Sequence, residues 1–418
     1  MTLCIDRRLS RNGFSRIEFL VVIFLVITMS TLAFVALRKS RTVARTCSCQ
    51  NVLRDQGIAF YSFADIDPNS AFCTGAYDYL RDGDVTKYSF VADGLDAVGI
   101  WSFKGDKLPL CLENAAAGNE SLNDLIGHKE QVNHCLLPEE LQIRALSGLC
   151  EDFELDFNGD QRADSGSIPG ATPERIAIVD EITAKGYLTN YVPSWFLVRT
   201  DFRMKTDDAG NEVINNPTGL KQLGSTAGPL TILKLDSSPV LSNLIPLIAD
   251  GTSVTQLSHS LKSRNLKQNS ALVATMTAGP VRYNPETDQF VSFQDQQIIV
   301  PEDLTQYQYR PFCQDKLPTT DQPLGNGGMD GHLWMQDISA WGTVHQVDKT
   351  WQCNVLMADG SVKSFQDQNG DRLLNPGFNI NENSQTGYTN GKTEVMIIDF
   401  YTGPTLAYQG SYPKGTFE

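Results

Sequence analysis

The sequence lacks the short motifs that mark common enzyme sites. It has no GxSxG nucleophile elbow, no phosphate loop ending in GK[ST], no GxGxxG after a strand and no HExxH pair. It has no CxxC, so a zinc or thioredoxin-like site has little support. Histidine is scarce, with five in 418 residues, and the spacing of His332 and His345 favours packing or turn roles. We therefore predict that the chain is not an enzyme.

Positive charge is also in deficit, and it is unevenly distributed. The chain has 34 Lys and Arg against 49 Asp and Glu, a net charge of −15. Residues 1–45 hold eight basic and two acidic residues, a net of +6, which leaves −21 for the rest. So acidic a body argues against nucleic acid and anionic lipid as partners. It fits a soluble extracytoplasmic domain, which can offer carboxylates to cations.

One long segment has no charge, proline or glycine. It covers residues 19–37, and a helix of that length reaches about 28 Å, enough to cross a bilayer core. Glu18 directly precedes this segment, and a carboxylate at the end of a membrane helix is energetically costly without a partner. If the bond between Gly13 and Phe14 were cut, the new amine of Phe14 would lie one helical turn from Glu18 and could neutralise it.

Gly13-Phe14-Ser15-Arg16-Ile17-Glu18 followed by an apolar helix resembles the N-terminus of type IV prepilins and type II secretion pseudopilins. The resemblance implies that prepilin peptidase cuts after Gly13, that Phe14 is N-methylated and that Glu18 guides assembly with other pilin or pseudopilin subunits. It places a single-pass helix in the inner membrane and the C-terminal domain in the periplasm or on the cell surface. An uncut membrane anchor and a secretory signal peptide are the alternatives.

These observations divide the chain into a leader, residues 1–13, a membrane helix with an amphipathic extension, residues 14–64, and an extracytoplasmic domain, residues 65–418. The predicted fold is α+β. Its long N-terminal transmembrane helix, as in pilins, packs on a mixed or antiparallel sheet with extra helices and long loops. Eight cysteines remain after the leader is removed, which permits up to four disulfides of unknown connectivity. Cys47 and Cys49, if helical, face different sides.

Local patterns predict several elements of the outer domain. Residues 88–92 and 195–203 alternate as strands do, and Pro173 begins a helix. Asp359-Gly360, between two apolar segments, predicts a two-residue type I′ hairpin. The hairpin resembles the end of a subgroup of prepilin-like proteins, whose outer domain has no established function and in which nine residues separate a histidine from Asp-Gly. Here thirteen residues separate His345 from Asp359.

Two acidic loops share the pattern DxNGD and predict calcium sites. Side-chain oxygens at positions 1, 3, 5 and 9 of such loops can converge on Ca²⁺. The predicted ligands of the first loop are Asp156, Asn158, Asp160 and Asp164, and those of the second are Asp367, Asn369, Asp371 and Asn375. The alternative is a turn that binds nothing, because Asp, Asn and Gly favour turns.

The sequence thus predicts a pilin-like or pseudopilin structural subunit that assembles into, or caps, a type II secretion or type IV pilus-like fibre. Roughly 400 residues would remain after cutting, which favours a minor or tip position over that of the main fibre subunit. The alternative is a membrane-tethered extracytoplasmic binding protein or enzyme that does not polymerise.

Overall fold

The structure is a computed structural model of the whole chain. The residues that it describes are 15–100, 110–127, 171, 173–206, 208, 210, 212–214, 220–284, 286–292, 335–347, 349–378, 380–396, 399–403 and 405–406. Contacts between residues divide the chain into two units, Met1–Cys47 and Ser48–Glu418. The first contains the apolar segment, and the second contains the sheets.

The longest element is helix α1, Arg16–Ile66, which ends close to the predicted boundary. Its stretch Arg16–Phe34 has a mean hydropathy of 2.4, and none of it is buried inside the protein. The predicted amphipathic extension is confirmed, since one apolar stripe of the helix, formed by Leu53, Gly57, Phe60 and Ala64, is buried in the second unit. Cys47 is exposed and Cys49 buried, as expected for helical residues two apart.

The other described helices are short. They are α2 Tyr79–Asp82, α3 Phe90–Ala92, α4 Ser121–Ile126, α5 Pro173–Ala184, α6 Trp195–Val198 and α7 Ile232–Ser237. A π-helical turn covers Asp93–Ala97, and 3₁₀ turns cover Leu223–Ser225 and Ser242–Leu244. The start of α5 at Pro173 confirms the predicted helix.

The described strands form four small sheets. The strands are β1 Gly118–Asn119, β2 Tyr191–Pro193, β3 Met204–Thr206, β4 Glu212–Ile214, β5 Pro246–Asp250, β6 Ser253–Gln256, β7 Ala271–Val273, β8 Gly279–Asn284, β9 Gln289–Ser292, β10 Met335–Asp337, β11 His345–Val347, β12 Thr350–Met357 and β13 Val362–Asp367. The sheet orders are β1-β7-β6, β10-β8-β9, β3-β4 and β11-β12-β5-β2, with β13 also on β12. The pair β1 and β7 is parallel, and the other pairs are antiparallel. The predicted mixture of helices and largely antiparallel strands is present.

The central strand β12 accommodates two different strands along one edge. β13 pairs with residues 351–356 along most of the other edge. β11 pairs with β12 at Thr350, Trp351 and Gln352, and β5 pairs at Val355, Leu356 and Met357. Both therefore lie on the edge opposite β13. The end of β5 at Asp250 and the start of β11 at His345 consequently meet in the gap beside Cys353 and Asn354.

Two predicted strands are wrong, for the same local reason. The alternation at residues 88–92 is interrupted by Ser89, whose hydroxyl accepts a hydrogen bond from the Ala92 amide and starts α3. The stretch at residues 195–203 begins with α6 because the Ser194 hydroxyl accepts a hydrogen bond from the Leu197 amide in the same way. A serine N-cap satisfies an orphan amide of the first turn, so a short buried helix forms where hydrophobicity alone suggests a strand.

The hairpin between β12 and β13 is present, but its turn is not type I′. A type I′ turn needs positive φ at both central residues. Here φ is positive at Gly360, at +81°, and not at Asp359. The Met357 amide donates a hydrogen bond to the Ser361 carbonyl at 2.8 Å, and the Gly360 amide donates one to the Met357 carbonyl at 3.0 Å. The loop is thus a three-residue connection with glycine in the left-handed position, which is the next most common hairpin.

Candidate functional site

The start of the apolar helix is held by a reciprocal pair of hydrogen bonds. Gly13 and Phe14, the predicted processing residues, lie outside the described residues. The amide of Ser15 donates to Glu18 Oε2 at 2.8 Å, and the Glu18 amide donates to Ser15 Oγ at 3.2 Å. This is a capping box. Glu18 therefore has a local role in starting the helix, beside the assembly role that the resemblance implies.

The second acidic loop follows β13, and its oxygens accept backbone amides. Asp367 accepts from Asn369, Gly370 and Arg372, at 2.5 to 3.1 Å. Asn375 Oδ1 accepts from the amides of Gly377 and Phe378 at 2.9 and 2.8 Å.

The middle of this loop makes bonds of the same kind. Asn369 accepts from the amide of Asp371, and Asp371 accepts from those of Leu373 and Thr389, at 2.9 to 3.0 Å. The bonds from Asp371 to Asn369 and from Leu373 to Asp371 join residues two apart, as in Asx turns, and the bond from Thr389 joins the loop to a later segment. Calcium binding at this loop stays a prediction. The first loop, Asp156, Asn158, Asp160 and Asp164, lies outside the described residues.

A cluster of reactive side chains lies buried at the gap along β12. Cys49 comes from α1, Asp250 from the end of β5 and His345 from the start of β11, while Cys111 and Glu113 come from the segment before β1. We call these five residues the thiol–histidine cluster. Cys49, Asp250 and His345 are at most 2 % exposed, as is Cys111, and the side chain of Glu113 is 11 % exposed.

The atoms of the cluster lie within direct contact of one another. The sulfurs of Cys49 and Cys111 are 2.8 Å apart, and Cys111 Sγ lies 3.6 Å from His345 Nε2. His345 Nε2 is 3.0 Å from Asp250 Oδ2, and its Nδ1 is 2.9 Å from Glu113 Oε2. The reactive atoms of Cys49, Cys111 and His345 all lie within 4.8 Å of one another, close enough to bind one metal ion.

The surrounding backbone fixes these side chains. The side-chain oxygen of Asn190 accepts a hydrogen bond from the Cys111 amide at 2.8 Å, and its side-chain nitrogen donates one to the Cys111 carbonyl at 2.9 Å. Tyr191 donates its hydroxyl hydrogen to the Cys49 carbonyl at 3.3 Å. The amide of Asn354, in the gap between β5 and β11, donates to Asp250 Oδ2 at 3.0 Å. The Asp250 carboxylate thus accepts the hydrogen bond that a backbone carbonyl of a neighbouring strand would otherwise accept from Asn354.

Electrostatics in the cluster favour a cationic histidine. Burial lowers the pKa of His345, but hydrogen bonds and charge from Asp250, with a hydrogen bond from Glu113, outweigh it and raise the pKa to about 9. Both ring nitrogens face carboxylates, and both can donate only in the protonated ring.

The two thiols of the cluster differ in acidity. A hydrogen bond from Cys111 lowers the pKa of Cys49 to about 7. Burial and the bond to Cys49 raise the pKa of Cys111. These shifts make Cys49 the more acidic of the two thiols.

Sequence reasoning missed this cluster because its members are far apart along the chain. Cys49 and Cys111 are 62 residues apart, and His345 lies 234 residues beyond Cys111. No short motif connects them. The one available signal was the histidine upstream of Asp359 and Gly360, which the spacing assigned to packing or turns. Comparison with family models, with curated proteins and with solved structures found no match to this chain.

Proposed function

We propose that this chain is a pilin-like structural subunit, held in a membrane by α1 before it joins a fibre. The observation that carries the proposal is the stretch Arg16–Phe34, which is apolar, helical and 0 % buried within the protein. Its large side chains are exposed on all sides of the helix, for example Leu20 at 63 %, Phe24 at 66 % and Leu32 at 73 %. A helix that is apolar all round requires lipid or other helices around it.

Lipid and neighbouring subunits are both compatible with that surface. Before assembly the bilayer covers it, and in a fibre the same stretch of other subunits covers it, so burial in one medium replaces burial in the other. Cleavage after Gly13 would supply the Phe14 amine as a counter-charge for Glu18 in low dielectric. The acidic unit Ser48–Glu418 would lie outside the membrane, where its bulk suits a tip or display position.

The capping box supplies the decisive experiment, because charge and capping can be separated. Glu18→Gln keeps an acceptor for the Ser15 amide and removes the charge, since Gln also serves in capping boxes. Ser15→Ala removes the other half of the box and leaves the acid. We expect Glu18→Gln to abolish assembly, measured as subunit crosslinking and sheared fibre mass, and Ser15→Ala to retain it.

The rival function makes the opposite prediction. A tethered protein that never polymerises needs Glu18 for helix capping alone, so Glu18→Gln would behave as the wild type. Mass spectrometry of the mature N-terminus provides an independent readout. A chain that begins at methylated Phe14 supports the proposal, and a purified chain with its leader intact overturns it.

A further inference from the structure

The two sulfurs of the thiol–histidine cluster are too close for separate thiols. Nonbonded carbon atoms settle at about 3.5–4.0 Å and sulfur is larger than carbon, whereas the sulfurs of a disulfide lie about 2.05 Å apart. The observed separation of Cys49 Sγ and Cys111 Sγ is 2.8 Å. Two thiolates on a tetrahedral zinc, each at about 2.3 Å from the ion, would be roughly 3.8 Å apart. The contact is therefore much shorter than a metal site requires.

His345 also disfavours a metal at this position. Its Nε2 lies 3.0 Å from Asp250 Oδ2 and its Nδ1 lies 2.9 Å from Glu113 Oε2. With a proton donated to each carboxylate, neither ring nitrogen has a lone pair for an ion. The cationic His345 and the two carboxylates together carry a net charge of −1 beside the sulfurs. A disulfide is neutral, so it adds no further negative charge to this buried site.

We propose that Cys49 and Cys111 are a disulfide site, and that the bond ties α1 to the segment before β1. Two Cys–SH groups and one external disulfide, such as that of an oxidised protein dithiol, give the Cys49–Cys111 bond and two external thiols. The Cys49 thiolate attacks the external disulfide and releases the first thiol. Cys111, as thiolate, then attacks Cys49 Sγ in the mixed disulfide and releases the second. The protons of the two cysteines end on the released thiols.

The cluster promotes this reaction during folding and shields its product afterwards. The His345 ring lies within 4.8 Å of Cys49 Sγ, and its positive charge lowers the pKa of that thiol, which favours the thiolate that acts as the nucleophile. Once formed, the bond is buried, since both cysteines are at most 2 % exposed. It closes a loop of 62 residues. The oxidising compartment that this needs rests on the proposed function, which locates the second unit outside the membrane.

The test uses the full-length chain in a bacterial inner membrane. Cells are precipitated in acid, free thiols are blocked with N-ethylmaleimide in denaturant, and unreduced peptides are mapped by mass spectrometry. We expect a linked pair containing Cys49 and Cys111. Cys47→Ser is the assignment control, because Cys47 shares a tryptic peptide with Cys49. Cys353→Ser, a buried neighbour, should keep the link, and Cys111→Ser should remove it.

Stability and metal content give independent readouts on wild-type protein in detergent. Reduction in denaturant followed by refolding should lower the thermal midpoint by about 5 °C, as expected for a loop of this length in a large domain. The same treatment should leave Cys111→Ser unchanged. Blocked thiols at both positions together with one zinc per chain would overturn the disulfide in favour of a metal.

A second arm separates this proposal from the proposed function. The purified, reduced chain is exposed to oxidised glutathione in detergent, and the peptides are mapped again. A link that forms here but is absent in cells would place the second unit in a reducing compartment, and only the proposed function would fail. No link in either arm would overturn the disulfide, whatever the location of the chain.

Discussion

At the scale of single residues, His345 is the clearest case of a side chain whose chemistry depends on its neighbours. Burial alone would keep the imidazole neutral. Asp250 and Glu113 reverse that preference, because each accepts one ring hydrogen and Asp250 also supplies a negative charge. A buried histidine that donates to two carboxylates is a fixed cation rather than a titrating group near neutral pH.

This cation makes stability depend on pH in a defined window. The folded pKa of His345 is about 9, above the value of about 6.5 in an unfolded chain. The folded state therefore binds the extra proton, so the stabilisation is complete below about pH 6.5 and is lost as pH rises through 9. We expect wild-type protein to lose on the order of 3 kcal/mol more than His345→Gln between pH 6.5 and 9.5.

Chemical unfolding at half-unit pH intervals measures the difference. His259→Gln is the matched control. His259 is partly buried, and its ring is hydrogen-bonded to the Ser258 hydroxyl at 3.2 Å. Among the described residues no carboxylate is hydrogen-bonded to this ring. Equal pH profiles for wild type and His345→Gln would contradict the assignment of the cation.

Asp367 offers a second prediction at this scale. Its two oxygens accept three backbone amides, and the residue is 5 % exposed. Asp367→Ala should cost about 1–3 kcal/mol, because three backbone amides lose a charged acceptor. Thermal unfolding with and without Ca²⁺ separates the two interpretations of the loop. An equal penalty in both conditions indicates a turn. A larger penalty with Ca²⁺ than without indicates an ion site.

At the scale of elements, the elements marked by a repeating hydrophobic pattern or a turn motif were predicted correctly, and the short helices that depend on a single N-cap residue were missed. The stripe from Leu53 to Ala64 gave a correct buried helix face, and the Asp359-Gly360 hairpin was found at the right place. The helices after Ser89 and Ser194 were missed because each depends on one hydroxyl that caps a single turn. In such short buried segments, tertiary burial overrides the local alternation of side chains.

The hairpin also allows a test of its revised turn. A Cβ at Gly360 would contact nothing within 4 Å, so substitution there changes only the backbone preference at φ +81°. We expect Gly360→Ala to cost about 1 kcal/mol, and Gly360→Asn to cost less because Asn tolerates the left-handed region. Urea midpoints compare the two variants. A neutral Gly360→Ala would show that φ is not positive there.

At the scale of the whole molecule, α1 belongs to both units and has a different role in each. Residues up to Cys47 fall in the first unit, and residues from Ser48 onward in the second. In the second unit, Gln50 donates to Asn354 Oδ1 at 3.2 Å and to Ser364 Oγ at 3.1 Å, and Tyr61 donates to the Ala358 carbonyl. The helix thus supplies part of the core beside β12 and β13.

Two truncations test this division. A chain that begins at Ser48 should be soluble and fold cooperatively, because it keeps the buried side chains of Leu53, Phe60 and Ala64. A chain that begins at Asp67 should lose the cooperative transition, because it exposes the core those side chains cover. Circular dichroism melts and gel filtration measure both. Cooperative melting of the shorter chain would show that α1 is dispensable for the second unit.

The register of β11 on β12 determines how this hairpin can vary in length. His345 faces Gln352 across the hairpin of β11 and β12, and two further rungs follow before the tip. Each added rung takes two residues, one in each strand, so insertions of two or four residues at the tip of the hairpin would keep His345 opposite Gln352 and its imidazole on the same face of the sheet.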